Sequence, residues 1–243
     1  MEILINISKI FICIIVIASC KKNAIEDKKN PLATLIVTNA VVGGGNVKLN
    51  SNESDSVTVY NGKLFGVAAG ESEVMLYPTI GSKVPYYNNI VETENGGVYS
   101  IFLFGQGASV ESIVMKEDIP SYYRDSTLGI RIVNLSSNAA INVTTATAPA
   151  TNLFSNVRFK EITDIVKIPL KSSVPAASVT FQAKDATLGV ILASYVLPAT
   201  ASASFPNISI VNSRNRNITL VVKGVMGQTT GTDAFGIFPV AYY

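Results

Sequence analysis

Histidine and tryptophan are absent from the 243-residue sequence, and cysteine occurs only twice, at Cys13 and Cys20. Without histidine, the chain lacks the usual general base at neutral pH and the commonest metal ligand in proteins. Without tryptophan, it lacks the best flat surface for stacking a sugar ring or a cation. Because both cysteines lie near the N-terminus, zinc, iron–sulfur and cysteine-nucleophile chemistry are not expected in the rest of the chain.

The motifs of histidine-free hydrolases are missing as well. After residue 20 the sequence contains neither S-x-x-K nor G-x-S-x-G. The carboxylate pairs Glu71/Glu73 and Glu92/Glu94 have the i,i+2 spacing that places both members on one face of a strand, but they flank turns and are interpreted as solvated edges. The sequence therefore predicts no catalytic residue, and the protein is not expected to be an enzyme.

Charge and composition exclude further classes of protein. The net charge is +2, with 48% hydrophobic and 15% charged residues, which favours packed cores over disorder. Lysines and carboxylates are scattered, so no nucleic-acid partner is expected. Residues 50–56 are rich in oxygen ligands and would suit a calcium loop, but they lack the EF-hand spacing, and a polar turn is the preferred interpretation. We predict no metal and no cofactor.

The N-terminus carries an apolar run of ten residues, 10–19, that is too short to span a bilayer and suits a signal peptide. Its end, Ile17-Ala18-Ser19-Cys20, resembles the bacterial lipobox. The resemblance implies cleavage before Cys20 and attachment of lipid to its sulfur, which would make the membrane a partner. The alternative is an ordinary secretory signal with a coincidental cysteine.

The residues after Cys20 predict a flexible tether and a location. Residues 21–31 are polar, charged and end in proline, as in a linker. Lys21 rather than aspartate follows the cysteine, so the resemblance carries no signal for retention in the inner membrane. We therefore expect a lipid-anchored protein of the outer membrane, with the periplasmic and the surface-exposed side both open.

From residue 32 onward, short apolar or alternating runs are separated by turn residues, and no window indicates an amphipathic helix. The pattern predicts an all-β fold of two tandem antiparallel β-sandwich modules, immunoglobulin-like or transthyretin-like. Asn61-Gly62 predicts a type I′ hairpin turn, and residues 98–104 predict a central strand. The expected organisation is a signal peptide at 1–19, lipidated cysteine and tether at 20–31, and modules at 32–120 and 121–243.

The second half of the chain repeats the pattern of the first. Residues 34–40 align with 129–135, and residues 98–107 align with 217–227, with Gly105 and Gly224 closing the two later strands. The identities are few, so one continuous β-domain is the alternative to two modules.

A lipobox, a lysine-rich tether and paired strand modules together resemble a family of Bacteroidota envelope lipoproteins classed as a domain of unknown function. The resemblance covers nearly the whole mature chain and implies β-sandwich modules at the cell envelope. It transfers no catalytic or binding residue. The second module departs most, because residues 155–159 stand where the Asn-Gly turn is expected.

Two surface features remain. Tyrosine doublets at 86–87, 122–123 and 242–243 would suit contacts with protein or glycan, although one ring of each in the core explains them equally well. Ser56 and Ser126 follow aspartates in short motifs that resemble periplasmic O-glycosylation acceptors, and both are expected in loops.

The sequence thus favours a non-enzymatic, lipid-anchored envelope protein with a binding, adhesion or structural role, whose partner is an envelope protein or a glycan. One alternative is a glycan-binding accessory lipoprotein of a polysaccharide-uptake system. Another is a fimbrial-type subunit that donates its C-terminal strand.

Overall fold

Strands make up nearly all of the regular structure in the computed structural model, which describes residues 31–81, 83–107, 109–120, 123–138, 140–170, 177–201 and 208–242. The strands of the first half are β1 (Leu32–Asn39), β2 (Val47–Leu49), β3 (Ser56–Val57), β4 (Asn61–Ala68), β5 (Gly70–Pro78), β6 (Tyr87–Thr93), β7 (Val98–Gln106) and β8 (Ser109–Lys116). A 3-10 turn at Glu53–Asp55 precedes β3.

The second half contains the same number of strands and one short helix. Its strands are β9 (Thr127–Asn134), β10 (Ile141–Thr145), β11 (Phe154–Val157), β12 (Val166–Pro169), β13 (Val179–Asp185), β14 (Ile191–Leu197), β15 (Asn217–Lys223) and β16 (Gly236–Tyr242). Helix α1 (Ile210–Ser213) lies between β14 and β15.

These strands form four four-stranded sheets, two in each half. The first half has the strand orders β4-β1-β7-β8 and β3-β2-β5-β6, and the second half has β12-β9-β15-β16 and β11-β10-β13-β14. The predicted fold of tandem all-β sandwich modules is confirmed. One detail differs from a purely antiparallel fold, because β1 pairs with β7, and β9 with β15, in parallel.

Each module buries its own core between its two sheets. Alternating residues supply it, as in β5, where Val74 and Leu76 are buried between more exposed neighbours. In the first module the largest fully buried side chains of this core are Leu35, Leu76, Ile101 and Leu103. In the second module they are Phe181, Leu128, Ile130, Ile132 and Ile141.

A third apolar cluster lies between the modules. We call β4-β1-β7-β8 and β12-β9-β15-β16 the inner sheets, because their remaining faces pack on each other through this cluster, here named the inter-module core. Its buried members are Ile36, Ala40, Phe102, Phe104, Val133, Leu135, Val221, Phe238, Val240 and Tyr242. The inner sheets therefore bury both faces, and residues 31–243 cluster as one compact unit.

This arrangement explains the predicted central strand. Strand β7 lies between β1 and β8, and six consecutive residues, 99–104, are buried. Strand β9 is buried along its whole length for the same reason. A continuous apolar run, rather than an alternating one, is what a strand with two covered faces requires.

The two modules have the same strand order and the same register at the parallel pair. Thr34 is opposite Val98 in the first module, and Gly129 is opposite Asn217 in the second, as the sequence alignment of the halves requires. The buried residues Asn39 and Asn134 end the equivalent strands β1 and β9. In both, the side-chain nitrogen donates to a backbone carbonyl at 3.0 Å, and the oxygen accepts from the amide two residues later.

The predicted hairpin at Asn61-Gly62 is wrong. Strands β3 and β4 belong to different sheets, and Asn61 pairs with Asn39 of β1. The positive φ lies one residue earlier, at Tyr60 (+57°). Here the chain crosses from the sheet that contains β3 to the inner sheet that contains β4. Lys160 (φ +66°) occupies the equivalent position of the second module. The backbone amides of both residues donate to the carbonyls of the equivalent asparagines at 2.7 Å.

Steric exclusion of a side chain explains why glycine occupies the equivalent positions 105 and 224. Their φ angles are +98° and +86°, a region that side chains with a Cβ rarely adopt. A Cβ at Gly105 would lie 2.2 Å from the carbonyl oxygen of Ser109, and one at Gly224 would lie 2.2 Å from that of Ala234. Only glycine therefore fits where these strands turn toward the next strand of their sheet.

The connection between β8 and β9 is packed against the modules rather than extended. The Glu117 carboxylate accepts two hydrogen bonds from Arg131 of β9, and Asn217 donates to the Pro120 carbonyl at 2.8 Å. The predicted module boundary at residues 120 and 121 falls in this connection, which couples the modules through a buried ion pair.

The C-terminal strand is paired within its own chain. β16 pairs antiparallel with β15 from Asn217–Tyr242 to Lys223–Gly236. Its side chains Phe238, Val240 and Tyr242 belong to the inter-module core. Donation of this strand to another subunit would expose all three.

Candidate functional site

The site residues predicted from sequence lie in different parts of the chain. Cys20, with the signal peptide and nearly all of the tether, lies outside the described residues. Ser56 is half-buried and begins β3, so it lies in a short strand rather than in a loop. Ser126 lies in the bend before β9, half-buried, with a φ of +54°. O-glycosylation at either serine stays a prediction.

The acidic pairs behave as solvated edges. Glu71 and Glu92 are opposite each other on β5 and β6, and both are exposed. Glu94 accepts a hydrogen bond from the ammonium of Lys116 at 2.7 Å. Within the described ranges, no three acidic, histidine or cysteine side chains are grouped as metal ligands.

The oxygen-rich loop at residues 50–56 is held by its own contacts. Asn52 caps the 3-10 turn and donates to Asp55 at 2.8 Å. Lys48 pairs with Glu53, and Lys63 lies 3.6 Å from the Asp55 carboxylate. These lysines occupy the carboxylates that a cation would need.

The tyrosine doublets place rings in the protein interior wherever the structure describes them. Tyr87, Tyr123 and Tyr242 are buried, and Tyr86 is half-buried against the first core. Their partners at positions 122 and 243 fall outside the described residues. The rings that can be observed therefore serve packing rather than recognition.

A cleft of about 430 Å³ opens between the modules beside the ends of β1, β7, β9 and β15. We call it the inter-module cleft. Its lining comes from both modules and consists of Val42, Phe104, Gly105, Gln106, Ser109, Glu111, Leu135, Ser137, Phe159, Gly224 and Val225. Its volume falls within the range of about 300–1,000 Å³ that small-ligand sites occupy.

Aromatic rings and an ion pair from both modules meet at the inter-module cleft. Phe104 and Phe159 meet edge to face with centroids 5.8 Å apart. The Lys160 ammonium lies 5.2 Å from the Phe159 centroid and 2.6 Å from the Glu111 carboxylate. Lys160 and Glu111 belong to different modules and are both about half exposed, so their polar groups are available at the rim.

An amide that lines the cleft, that of Gln106, meets a carboxylate of the second module. The Gln106 side chain donates to both oxygens of Asp233 at 3.1 and 3.2 Å. Beside them, the Tyr60 hydroxyl donates to the Thr232 carbonyl at 2.8 Å, and the Lys223 ammonium lies 4.0 Å from the Tyr60 ring. Burial lowers the pKa of Lys223, although the nearby Asp233 charge opposes that change.

A network of polar side chains around Arg131 lies within the packed inner sheets, and its charged members are hydrogen-bonded to one another. Arg131 donates two bonds to Glu117 at 2.8 and 2.6 Å, one to Thr219 at 2.9 Å and one to the Tyr242 hydroxyl. Burial raises the pKa of Tyr242, while the Arg131 charge opposes the shift. Burial alone would lower the pKa of Arg131, but the Glu117 hydrogen bonds and charge raise it overall. This network is structural, because each charged group is paired.

The position of the inter-module cleft follows from the direction of β1. The described body begins at Pro31, immediately before β1, whereas Val42 of the cleft lies beyond its other end. The eight residues of β1 span about 26 Å at about 3.3 Å per residue. The cleft therefore opens at the end of the body opposite to its first residue.

Sequence reasoning did not find this cleft. Its lining comes from segments that are as much as 183 residues apart, from Val42 to Val225, so no local motif marks it. The only sequence signals were Gly105 and Gly224, which end the strands there, and residues 155–159, which stand out because the Asn-Gly turn is missing.

Comparison with known proteins adds little to this geometry. No protein family matches the chain, and no curated protein matches it. One solved structure, the C-terminal domain of AlgF from P. aeruginosa, aligns with a TM-score of 0.27 and 16% identity over 36% of this chain and 99% of that domain. Among the described residues, no helix is both long and apolar enough to cross a membrane.

Proposed function

We propose that the protein is a non-enzymatic, lipid-anchored protein of the bacterial envelope that binds a ligand in the inter-module cleft. The observation that carries the proposal is the position of that cleft, at the end of the body opposite to Pro31. A chain tethered through Cys20 enters the body at Pro31. The cleft of a tethered protein would then point away from the anchoring surface, where a ligand reaches it.

The packing of the modules supports a binding role over a flexible linker role. The inter-module core reaches the inter-module cleft, because Phe104 and Leu135 belong to both. A site held by packed strands stays preorganised, which lowers the cost of binding. The exposed Lys160–Glu111 pair and the Gln106–Asp233 pair provide polar groups at its rim.

Anchoring is tested by fractionating cells that express the full-length protein, with a Cys20→Ala variant as the comparison. We expect the natural chain in the outer membrane and the variant in the soluble fraction. Protease added to intact cells then distinguishes the two sides of the membrane. If Cys20→Ala stays membrane-bound, the anchoring part of the proposal is wrong.

Ligand binding in the cleft is tested separately by photo-crosslinking. A benzophenone amino acid replaces Ser109, which lines the cleft, or Ser194, an exposed residue of β14 that serves as the control. We expect irradiation of intact cells to give an adduct at position 109 and none at position 194. Equal labelling at both positions, or none at 109, would contradict a ligand site in the cleft.

A further inference from the structure

We infer that the ligand of the inter-module cleft is a neutral carbohydrate of one or two sugar rings. The inference deepens the proposed function and rests on it. It depends on the combination of a partly exposed aromatic ring, polar side chains that protein contacts hold at the rim, and balanced charge.

The aromatic component is Phe159, which is half-buried and contributes to the lining of the cleft. The edge-to-face contact with the buried Phe104 fixes the orientation of its ring. One side of a sugar ring is covered by C–H groups, which gain free energy by leaving water against an apolar ring. Phe159 therefore offers a stacking surface in a chain without tryptophan.

The polar component supplies donors and acceptors together. Lys160 and the amide of Gln106 donate, while Glu111 and Asp233 accept, and each already has a protein partner that fixes its position. A sugar hydroxyl both donates and accepts, so it matches a rim of paired opposite groups better than a purely anionic or cationic ligand does. Ser109 and Ser137 add two hydroxyl-bearing side chains to the lining.

The charge around the cleft argues for a neutral ligand. The Lys160 ammonium is neutralised by Glu111, and the Lys223 ammonium is turned to the Ala234 carbonyl and the Tyr60 ring. Asp233 adds a negative charge beside Gln106. Two ammonium groups therefore balance two carboxylates around the cleft, so an anionic ligand would gain no net charge attraction there.

The test is a panel of gluco-, manno-, galacto- and xylo-oligosaccharides, with oligogalacturonate as the anionic comparison, titrated into the soluble Cys20→Ala protein by calorimetry. Phe159→Ala removes the ring, and Phe159→Trp restores a larger one. Glu111→Gln removes the charge and one acceptor oxygen of an exposed side chain without touching the packed core. Ile80→Ala, at an 83% exposed side chain of the β5–β6 loop, is the matched control.

We expect at least one neutral oligosaccharide to bind. Phe159→Ala and Glu111→Gln should each weaken binding about tenfold or more, because the first removes the apolar surface for the sugar ring and the second removes the charge of an acceptor at the rim. Phe159→Trp and Ile80→Ala should retain it, and oligogalacturonate should not bind.

Absence of binding to every neutral oligosaccharide would overturn the inference, as would undiminished binding by both Phe159→Ala and Glu111→Gln. Preferential binding of oligogalacturonate would overturn the neutral class. Either failure leaves the photo-crosslinking result at position 109 unchanged, so a wrong ligand class is distinguishable from a wrong binding site.

Discussion

The two modules have the same strand order, but their inner faces differ in chemistry at equivalent positions. Three positions that are apolar or aromatic in the first module carry a cation in the second. The pairs are Ile36 and Arg131, Tyr60 and Lys160, and Phe104 and Lys223. At these positions the first module thus presents one aliphatic side chain and two aromatic rings, and the second presents positive charges.

The difference makes the modules complementary to each other. Lys223 lies over the ring of Tyr60, and Lys160 lies 5.6 Å from that of Phe104, so both cation–π contacts join the first module to the second. A pair of second modules would bring cations against cations, which is unfavourable. A few substitutions on one face of a repeated fold can therefore determine which copies pair with each other.

The largest effect is expected from removing the counter-ion of Arg131, the most buried of the three cations. Glu117→Ala leaves a guanidinium with a 7% exposed side chain without its carboxylate. We expect the free energy of unfolding in urea to fall by about 3–5 kcal/mol.

The double variant Glu117→Leu/Arg131→Met is the control for this prediction. It makes the second inner face apolar like the first, where Ile36 occupies the equivalent position. Replacement of a buried pair by apolar residues is often neutral, so we expect most of the lost stability to return. A loss below about 1 kcal/mol for Glu117→Ala would show that the pair does not hold the modules together.

The second prediction concerns a position where the modules agree. Gly105→Ala and Gly224→Ala should each destabilise the protein by about 2–4 kcal/mol, because each combines a positive φ with a Cβ 2.2 Å from a carbonyl oxygen. Gly66→Ala in β4 is the matched control, since nothing lies within 4 Å of its Cβ. Thermal unfolding measures all three, and a tolerated substitution at either position would break the equivalence.

These examples show what could be predicted from sequence. The strands, the central position of β7 and the equivalence of Gly105 and Gly224 follow from local patterns, because buried strands and positive-φ positions restrict residue type. The crossing at Tyr60 was missed because Asn61-Gly62 has ideal hairpin chemistry, yet inner-sheet pairing with β1 decides its conformation. Glu117 lies in a stretch whose composition is that of a linker, and only the tertiary structure reveals that its side chain is buried.

The candidate site was not predictable for a related reason. Phe159 and Glu111 lie 48 residues apart and come together only because the inner sheets pack face to face. Neither has a neighbour in sequence that marks it as part of a cleft. Repeat alignment identifies equivalent residues within each module but carries no information on how one copy meets the other.

The third prediction compares β6 and β14, edge strands of the two sheets that are not inner sheets, which carry the buried Tyr87 and the half-buried Tyr195. Burial raises the pKa of Tyr195 to about 12 and raises that of Tyr87 as well. A raised folded-state pKa favours the neutral phenol, so this stability is present below pH 10 and is lost as the pH rises toward 12.

We therefore expect Tyr195→Phe to reduce the alkaline loss of stability by about 1 kcal/mol, a value below the full shift because the side chain remains partly exposed. Urea unfolding between about pH 9 and pH 12 measures the effect. Tyr87→Phe is the comparison from the first module and should reduce the loss less. An equal or larger change for Tyr87→Phe would contradict the larger pKa shift of Tyr195.

The smallest effects are expected at the two lysines that contact rings of the first module. Lys223 is half-buried and donates to the Ala234 carbonyl at 2.8 Å, whereas Lys160 is exposed and pairs with Glu111. Lys223→Met should lower the free energy of unfolding by about 1 kcal/mol and Lys160→Met by about 0.5 kcal/mol.

The salt dependence of these losses distinguishes the two lysines, because raising the salt concentration from about 0.1 M to about 1 M screens an exposed pair but not a desolvated contact. The cost of Lys160→Met should shrink at high salt while that of Lys223→Met persists, and equal salt dependence would mean that neither cation is buried against its ring.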